Sequence, residues 1–305
     1  MMKQLAEAIQ KKDAPIAVGL DTTLDMVPAR ITEAACRVYG TTLEAAGQAI
    51  LAFNKEIVDA VMDLVPAVKL QSAMYEKYGI PGITAYRDTI VYCKQKGLIV
   101  IGDVKRGDIG STSEAYASAH LGRVDVFGVE ETPFGADIVT VNPYLGTDSV
   151  KPFLEACEKW DKGIFVLVKT SNPSSGEFQD RIVDGRPLYE LVAEKIEQWG
   201  GVTEDHALSN VGAVVGATYP ATGLALREQM PHTMLLVPGY GAQGATGADL
   251  KHFFREDKTG ALINSSRGII CACREERYAH CGDDCGAAAR EAVLDMKRDI
   301  TEGIG

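Results

Sequence analysis

Apolar residues in this chain gather in short unbroken runs separated by longer amphipathic stretches. Eight runs have the length of strands: Pro15–Asp21, Ala67–Gln71, Leu98–Lys105, Asp137–Asn142, Ile164–Thr170, Val211–Ala217, Met234–Pro238 and Ala261–Ser265. They are near-continuous rather than alternating, the pattern of strands covered on both faces. Between them lie helical patterns. Leu43–Leu64 sets Ala46, Ile50, Phe53, Ile57, Val58 and Val61 close to one stripe. Similar stretches are Ile83–Lys96, Ser113–Leu121, Val150–Trp160, Leu188–Trp199, Gly223–Gln229, Gly247–Phe254 and Ala287–Thr301. Strand–helix alternation repeated eight times predicts a parallel (β/α)8, or TIM, barrel. A doubly wound open sheet fits less well, because no GxGxxG follows the first strand and the count is eight.

Three stretches exceed what a strand–helix loop needs: Thr22–Thr42, Gly122–Ala136 and Asn172–Asn210. None has the composition of a disordered linker or a repeat, so residues 1–305 are read as one catalytic domain with extended loops. The first twelve residues are amphipathic and charged and lack the apolar core of a signal peptide. No apolar stretch reaches the roughly 20 residues of a membrane span. A cytoplasmic enzyme is expected. The net charge of −11 argues against nucleic-acid or anionic-membrane partners. A small anionic ligand, which responds to local charge, remains compatible.

Chemistry in such a barrel sits at the C-terminal ends of the strands. The first run ends Gly19-Leu-Asp21-Thr22, and the second carries Lys69. The third delivers Asp103, Lys105 and Asp108, and the fifth ends Lys169-Thr-Ser171-Asn172. Asp103 and Lys105, two residues apart on a strand, share a face, whereas Asp108 falls in a glycine-flanked loop. Charged groups at the mouth of an apolar strand are costly to desolvate unless they pair or do chemistry. A structural ion pair is the plainer reading. In the barrel, Asp21, Lys69, Asp103, Lys105 and Asp108 are expected to converge in one cavity. A Lys-Asp-Lys-Asp array is nearly neutral, so each charge can persist beside its partners. It would repel a substrate anion at Asp103 while Lys105 offers a proton to carbon as the negative charge departs, which describes a decarboxylation without a cofactor.

The seventh and eighth runs lead into Pro238-Gly-Tyr-Gly-Ala-Gln243-Gly244 and Asn264-Ser-Ser-Arg267-Gly268, where such barrels commonly hold phosphate. Gly239, Gly241 and Gly244 free backbone amides to approach oxygens, Gln243 adds a neutral donor, and Arg267 offers a planar charged fork. The alternative is a tight loop and a surface-paired arginine. Ser171 can bond a polar ring or simply cap a helix. No Gly-x-Ser-x-Gly elbow surrounds it and no histidine stands at these strand ends, which argues against Ser–His hydrolysis.

Seven cysteines are present. Cys36, Cys93 and Cys157 read as reduced, mostly structural thiols. Cys271, Cys273, His280, Cys281 and Cys285 crowd together and invite a zinc reading. Their spacing matches no common C-x-x-C pairing, and Cys271 is expected inside a strand. Chance cysteines are preferred and no metal is assigned.

With these residues in view, the sequence resembles orotidine 5′-phosphate decarboxylases, most of all the longer bacterial subgroup. The resemblance runs from Gly19-Leu-Asp21 to Ser266-Arg267-Gly268. Its most specific part is Asp103-x-Lys105-x-x-Asp108-Ile-Gly-x-Thr112, supported by Thr170-Ser171-Asn172-Pro173 and Gly239-Tyr-Gly-Ala-Gln243-Gly. It implies that Lys105 protonates C6 of the pyrimidine and that Asp103 sits against the departing carboxylate. Lys69 and Asp21 would bind the ribose hydroxyls, and Ser171 would contact the pyrimidine. Gln243 and Arg267 would grip the 5′-phosphate, beneath a closing loop Pro238–Gln243. It also implies a homodimer in which Asp108, Ile109 and Thr112 reach into the neighbouring subunit's site. The cysteine cluster belongs to no family feature.

Two other readings compete. Sister phosphate-binding barrels that decarboxylate keto-gulonate phosphate or build hexulose phosphate use a similar Asp-x-Lys-x-x-Asp strand, but need Mg²⁺ and an acid on the second strand. Here that position is Lys69, and a cation opposes Mg²⁺. A catalytically silent phosphosugar-binding protein would have lost Lys69, Asp103 or Lys105, and all are present.

Overall fold

The first strand of the computed structural model, β1 (Ile16–Gly19), pairs on one side with β2 (Ala67–Gln71) and on the other with β8 (Ala261–Ser265), and so closes the sheet. In between run β3 (Ile99–Arg106), β4 (Ile138–Val141), β5 (Gly163–Lys169), β6 (Val211–Val215) and β7 (Leu235–Pro238), each parallel to its sequence neighbours. The expected (β/α)8 barrel is therefore the fold. The structure describes residues 1–201, 208–218, 220–241 and 244–305.

The strands read as apolar on both faces because two separate cores flank them. Outward residues such as Val18, Val68, Val100 and Val139 pack against the surrounding helices in the larger core. Inward residues Ala17, Ala67, Ile101, Ile138, Phe165 and Leu262 fill the barrel with Met2, Leu5 and Ile9. The helix Met2–Lys12 thereby plugs the N-terminal end with its apolar stripe. Two residues further along four of the strands the inward residues turn polar. Ala67 gives way to Lys69 and Gln71, Ile101 to Asp103, Ile138 to Thr140 and Leu262 to Asn264. That change, on β2, β3, β4 and β8, turns a packed core into a polar cavity floor, while Leu167, Val214 and Leu236 keep the opposite side apolar.

Two of the longest helices open on side-chain caps. The Thr42 side chain accepts from Ala45 N at 3.2 Å to open Leu43–Val61, and Asp284 accepts from Ala287 N at 2.8 Å to open Cys285–Ile304. The long loops carry their own structure. Thr22–Thr42 holds the helix Ala29–Tyr39, and Gly122–Ala136 folds an antiparallel hairpin from Val124–Val126 and Val129–Glu131. The stretch after β5 contains the 3₁₀ turn Pro173–Glu177, the small hairpin Ile182–Val183 with Arg186–Pro187, and the helix Leu188–Gly200.

Two expectations about the cysteines are corrected. Cys271 is not in a strand: β8 stops at Ser265, and the apolar run beyond it coils into the short helix Arg267–Ile270, which buries Ile269 and Ile270. Cys273 and Cys285 are joined as a disulfide, so the cluster is neither a four-cysteine zinc site nor wholly a chance collection.

Candidate active site

A cavity of about 500 Å³ opens at the C-terminal end of the barrel. Its walls include Asp21, Lys69, Gln71, Asp103, Lys105 and Thr140 on one side. Ser171, Gln179, Pro238 and Asn264 stand on the other.

Lys69 is 4% exposed, which no ammonium tolerates without partners. Its Nζ donates to Asp21 Oδ1 at 3.2 Å and to Asp103 Oδ2 at 3.0 Å. Burial pushes its pKa down, but the two carboxylates outweigh that and raise it, so Lys69 stays charged. Asp103 is held from several sides. Lys105 Nζ reaches its Oδ1 at 2.6 Å, the Thr140 hydroxyl donates to the same oxygen at 2.8 Å, and Gln71 Nε2 donates to Oδ2 at 3.0 Å. Burial alone would raise the Asp103 pKa. Lys69 and Lys105 override it and hold the carboxyl at about 2, so it is ionised at neutral pH.

The backbone at Lys105 departs from the strand. Its φ is +46°, and the pairing of β3 with β4 shifts register between Gly102 and Arg106. A non-glycine residue in the left-handed region costs about 1 kcal/mol or more and concentrates at functional sites. Lys105 N donates to Thr140 Oγ1 at 2.9 Å, which anchors the kink. Asp21 is positioned in turn by Ser266, whose hydroxyl donates to Oδ2 at 2.8 Å. A Cβ at Gly19 would collide with that hydroxyl, so only glycine lets β1 and the turn after β8 approach this closely. Asn264 presents a buried Oδ1 with no partner among the described residues, an acceptor available to a bound molecule.

The loop after β7 keeps positive φ at Gly239 (111°), Gly241 (69°) and Gly244 (87°), conformations that favour glycine. The Tyr240 hydroxyl and Gly247 N both donate to Asp299 Oδ2, at 2.7 and 2.8 Å, and so fix this loop to the helix Cys285–Ile304. Arg267 is exposed at the first turn after β8, outside the residues that wall the cavity. Gln243 lies outside the described residues.

The five expected charges do not all meet. Asp21, Lys69, Asp103 and Lys105 come together, with Ser171 and Pro238 opposite. Asp108 does not join them: its carboxylate caps Ile109 N at 2.8 Å, beyond the cavity wall, because the chain has left β3 and turned toward the helix Gly110–His120. Ile109 and Thr112 are exposed beside it. Gln71, Thr140, Gln179, Asn264 and Ser266 were not expected at the site. The only sequence signal for Gln71 and Thr140 is their inward parity with Lys69 and with Ile138.

Comparison with known proteins matches this architecture. A family model described as Orotidine 5′-phosphate decarboxylase / HUMPS family matches residues 15–279. The orotidine 5′-phosphate decarboxylase of Caldicellulosiruptor saccharolyticus is 41% identical over 302 residues, covering 99% of this chain and 98% of that protein. That of Rhodopirellula baltica is 42% identical over 300 residues, covering 97% of each. Among solved structures, Leishmania donovani OMP decarboxylase superposes with a TM-score of 0.73 at 30% identity, covering 97% of both chains. With near-complete coverage at this identity and a charged cavity at the expected end of the barrel, the chain belongs to the orotidine 5′-phosphate decarboxylase family of (β/α)8-barrel enzymes.

Proposed function

We propose that this enzyme converts orotidine 5′-phosphate to uridine 5′-phosphate, the closing step of de novo pyrimidine synthesis, with neither metal nor organic cofactor. The observation that carries this reading is the buried Asp103 carboxylate with Lys69 on one oxygen and Lys105 on the other. A substrate carboxylate seated against ionised Asp103 is repelled, and that repulsion is relieved as the bond from C6 to the carboxyl carbon breaks and CO₂ leaves. The electron pair left on C6 takes a proton from Lys105 Nζ, and the product is the C6–H pyrimidine.

In this reading Asp21 and Lys69 hold the ribose hydroxyls, and Ser171 contacts the pyrimidine. Pro238, Gln243 and Arg267 belong to the phosphate end. Phosphate binding there, remote from the reacting carbon, supplies energy to the chemical step. Asp108, half-buried, and Thr112, exposed, both lie away from their own cavity and serve the site of a second copy in a homodimer. The enzyme acts in the cytoplasm on a small nucleotide and has no nucleic-acid or membrane partner. No described helix is long and apolar enough to cross a membrane.

The metal-dependent sister chemistry is disfavoured by Lys69. Its ammonium stands between Asp21 and Asp103, where a Mg²⁺ site would need oxygen. The test is loss of the orotate absorbance when purified protein meets orotidine 5′-phosphate in excess EDTA, with uridine 5′-phosphate as product. Activity only toward a sugar-phosphate keto acid, and only with Mg²⁺, would overturn the reading.

A further inference from the structure

The strap after β8 carries a cluster that decarboxylation does not use. Leaving the helix Arg267–Ile270, it winds through two 3₁₀ turns, Ala272–Arg274 and Glu276–Cys281, before the helix Cys285–Ile304 begins. His280 and Cys281 close the second turn, and Glu291 stands on the second turn of the helix. His280 Nε2 lies 2.9 Å from one Glu291 carboxylate oxygen and 3.0 Å from the other. The Cys281 thiol stands within 4.8 Å of both the imidazole nitrogen and the carboxylate. One nitrogen, one sulfur and one oxygen thus fall within 4.8 Å of one another, the one such His/Cys/acid group among the described residues.

Two restraints fix the ligand-bearing turn against the helix. The Cys273–Cys285 disulfide ties the strap to the start of the helix, and the buried Tyr278 donates its hydroxyl to Asp295 Oδ2 at 3.0 Å. The three donors are therefore assembled by contacts that do not depend on an ion, which lowers the ordering cost of binding one. An exposed His–carboxylate pair by itself contributes little to stability, and it does not account for a thiol within 4.8 Å of both groups.

We propose that His280 Nε2, Cys281 Sγ and the Glu291 carboxylate bind one zinc-class divalent cation, which staples the strap to the C-terminal helix. Mixed nitrogen, sulfur and oxygen donors suit Zn²⁺, at about 2.0–2.3 Å, whereas Mg²⁺ and Ca²⁺ favour oxygen alone. Three protein ligands leave the fourth tetrahedral position to water. Binding releases the Cys281 proton to solvent and moves no electrons.

Chelator-stripped protein, kept free of reductant so that Cys273–Cys285 stays paired, is titrated with Co²⁺ and then with competing Zn²⁺. One Co²⁺ per chain with a thiolate-to-metal charge-transfer band, displaced by Zn²⁺, is expected. Cys281→Ser should abolish that band, and Glu291→Gln should weaken binding roughly tenfold or more. Cys36→Ser should change neither. No band, or a band that survives in both Cys281→Ser and Glu291→Gln, overturns the proposal. Should Cys281→Ser fail to fold, Glu291→Gln, a near-isosteric change on a half-exposed side chain, decides alone.

Discussion

Lys105 Nζ lies 2.6 Å from Oδ1 of Asp103, two residues earlier on the same strand. Side chains at i and i+2 of a regular strand run parallel, with their Cα atoms more than about 6 Å apart. The left-handed turn at Lys105 folds its long side chain back onto Asp103. One carboxylate thus meets two ammonium groups, one from its own strand and one from β2.

That arrangement makes the fold sensitive to acid. Asp103 titrates at about 2 against an ordinary value of 3.8, so its contribution is complete above about pH 4 and fades as pH falls toward 2. The shift corresponds to on the order of 2 kcal/mol. Lys69 is shifted upward, so its contribution holds below its ordinary value of 10.5 and fades only at higher pH. Urea unfolding of the wild-type chain and Asp103→Asn should give a stability difference that is flat through neutrality and shrinks below about pH 4. A difference that stays constant down to pH 2 would refute the ion-pair account.

Thr140 ties both halves of this device together, donating to Asp103 Oδ1 and accepting from Lys105 N. Thr140→Val keeps the shape and removes both bonds. The expected cost is about 1–2 kcal/mol of stability, with kcat reduced roughly tenfold and KM little changed. Unchanged kcat would mean that the kink at Lys105 is held by other contacts.

The barrel was legible because its strands are apolar on both faces, and the charged array because lysines and aspartates at apolar strand ends have few structural uses. Ser266 and Gln179 were not legible. A neutral polar residue in a loop looks alike whether it faces solvent or a cavity, and the bond from Ser266 to Asp21 spans 245 residues of chain. Asp108 was expected to converge with the other four charges and instead lies outside the cavity wall, since spacing gives no account of where a loop points. The apolar run through Ile269 and Ile270 carried a strand signal, and tertiary burial made it helical.

The position of Asp108 outside its own chain's cavity yields a separate prediction. In a homodimer with exchanged residues, mixing inactive Lys105→Ala with inactive Asp108→Asn creates hybrids holding one complete site. Random pairing restores about a quarter of wild-type activity. No recovery in mixtures shown to exchange subunits would place Asp108 at its own chain's site or outside catalysis.

The role of Lys105 as proton donor is tested most directly by Lys105→Ala. Turnover of orotidine 5′-phosphate and affinity for uridine 5′-phosphate should both be measured on this variant, with folding checked by circular dichroism. The account predicts at least about a thousandfold loss of kcat, with nucleotide affinity within a few-fold of the wild-type chain. Near-normal turnover, or a loss of activity matched by an equal loss of binding, would contradict it.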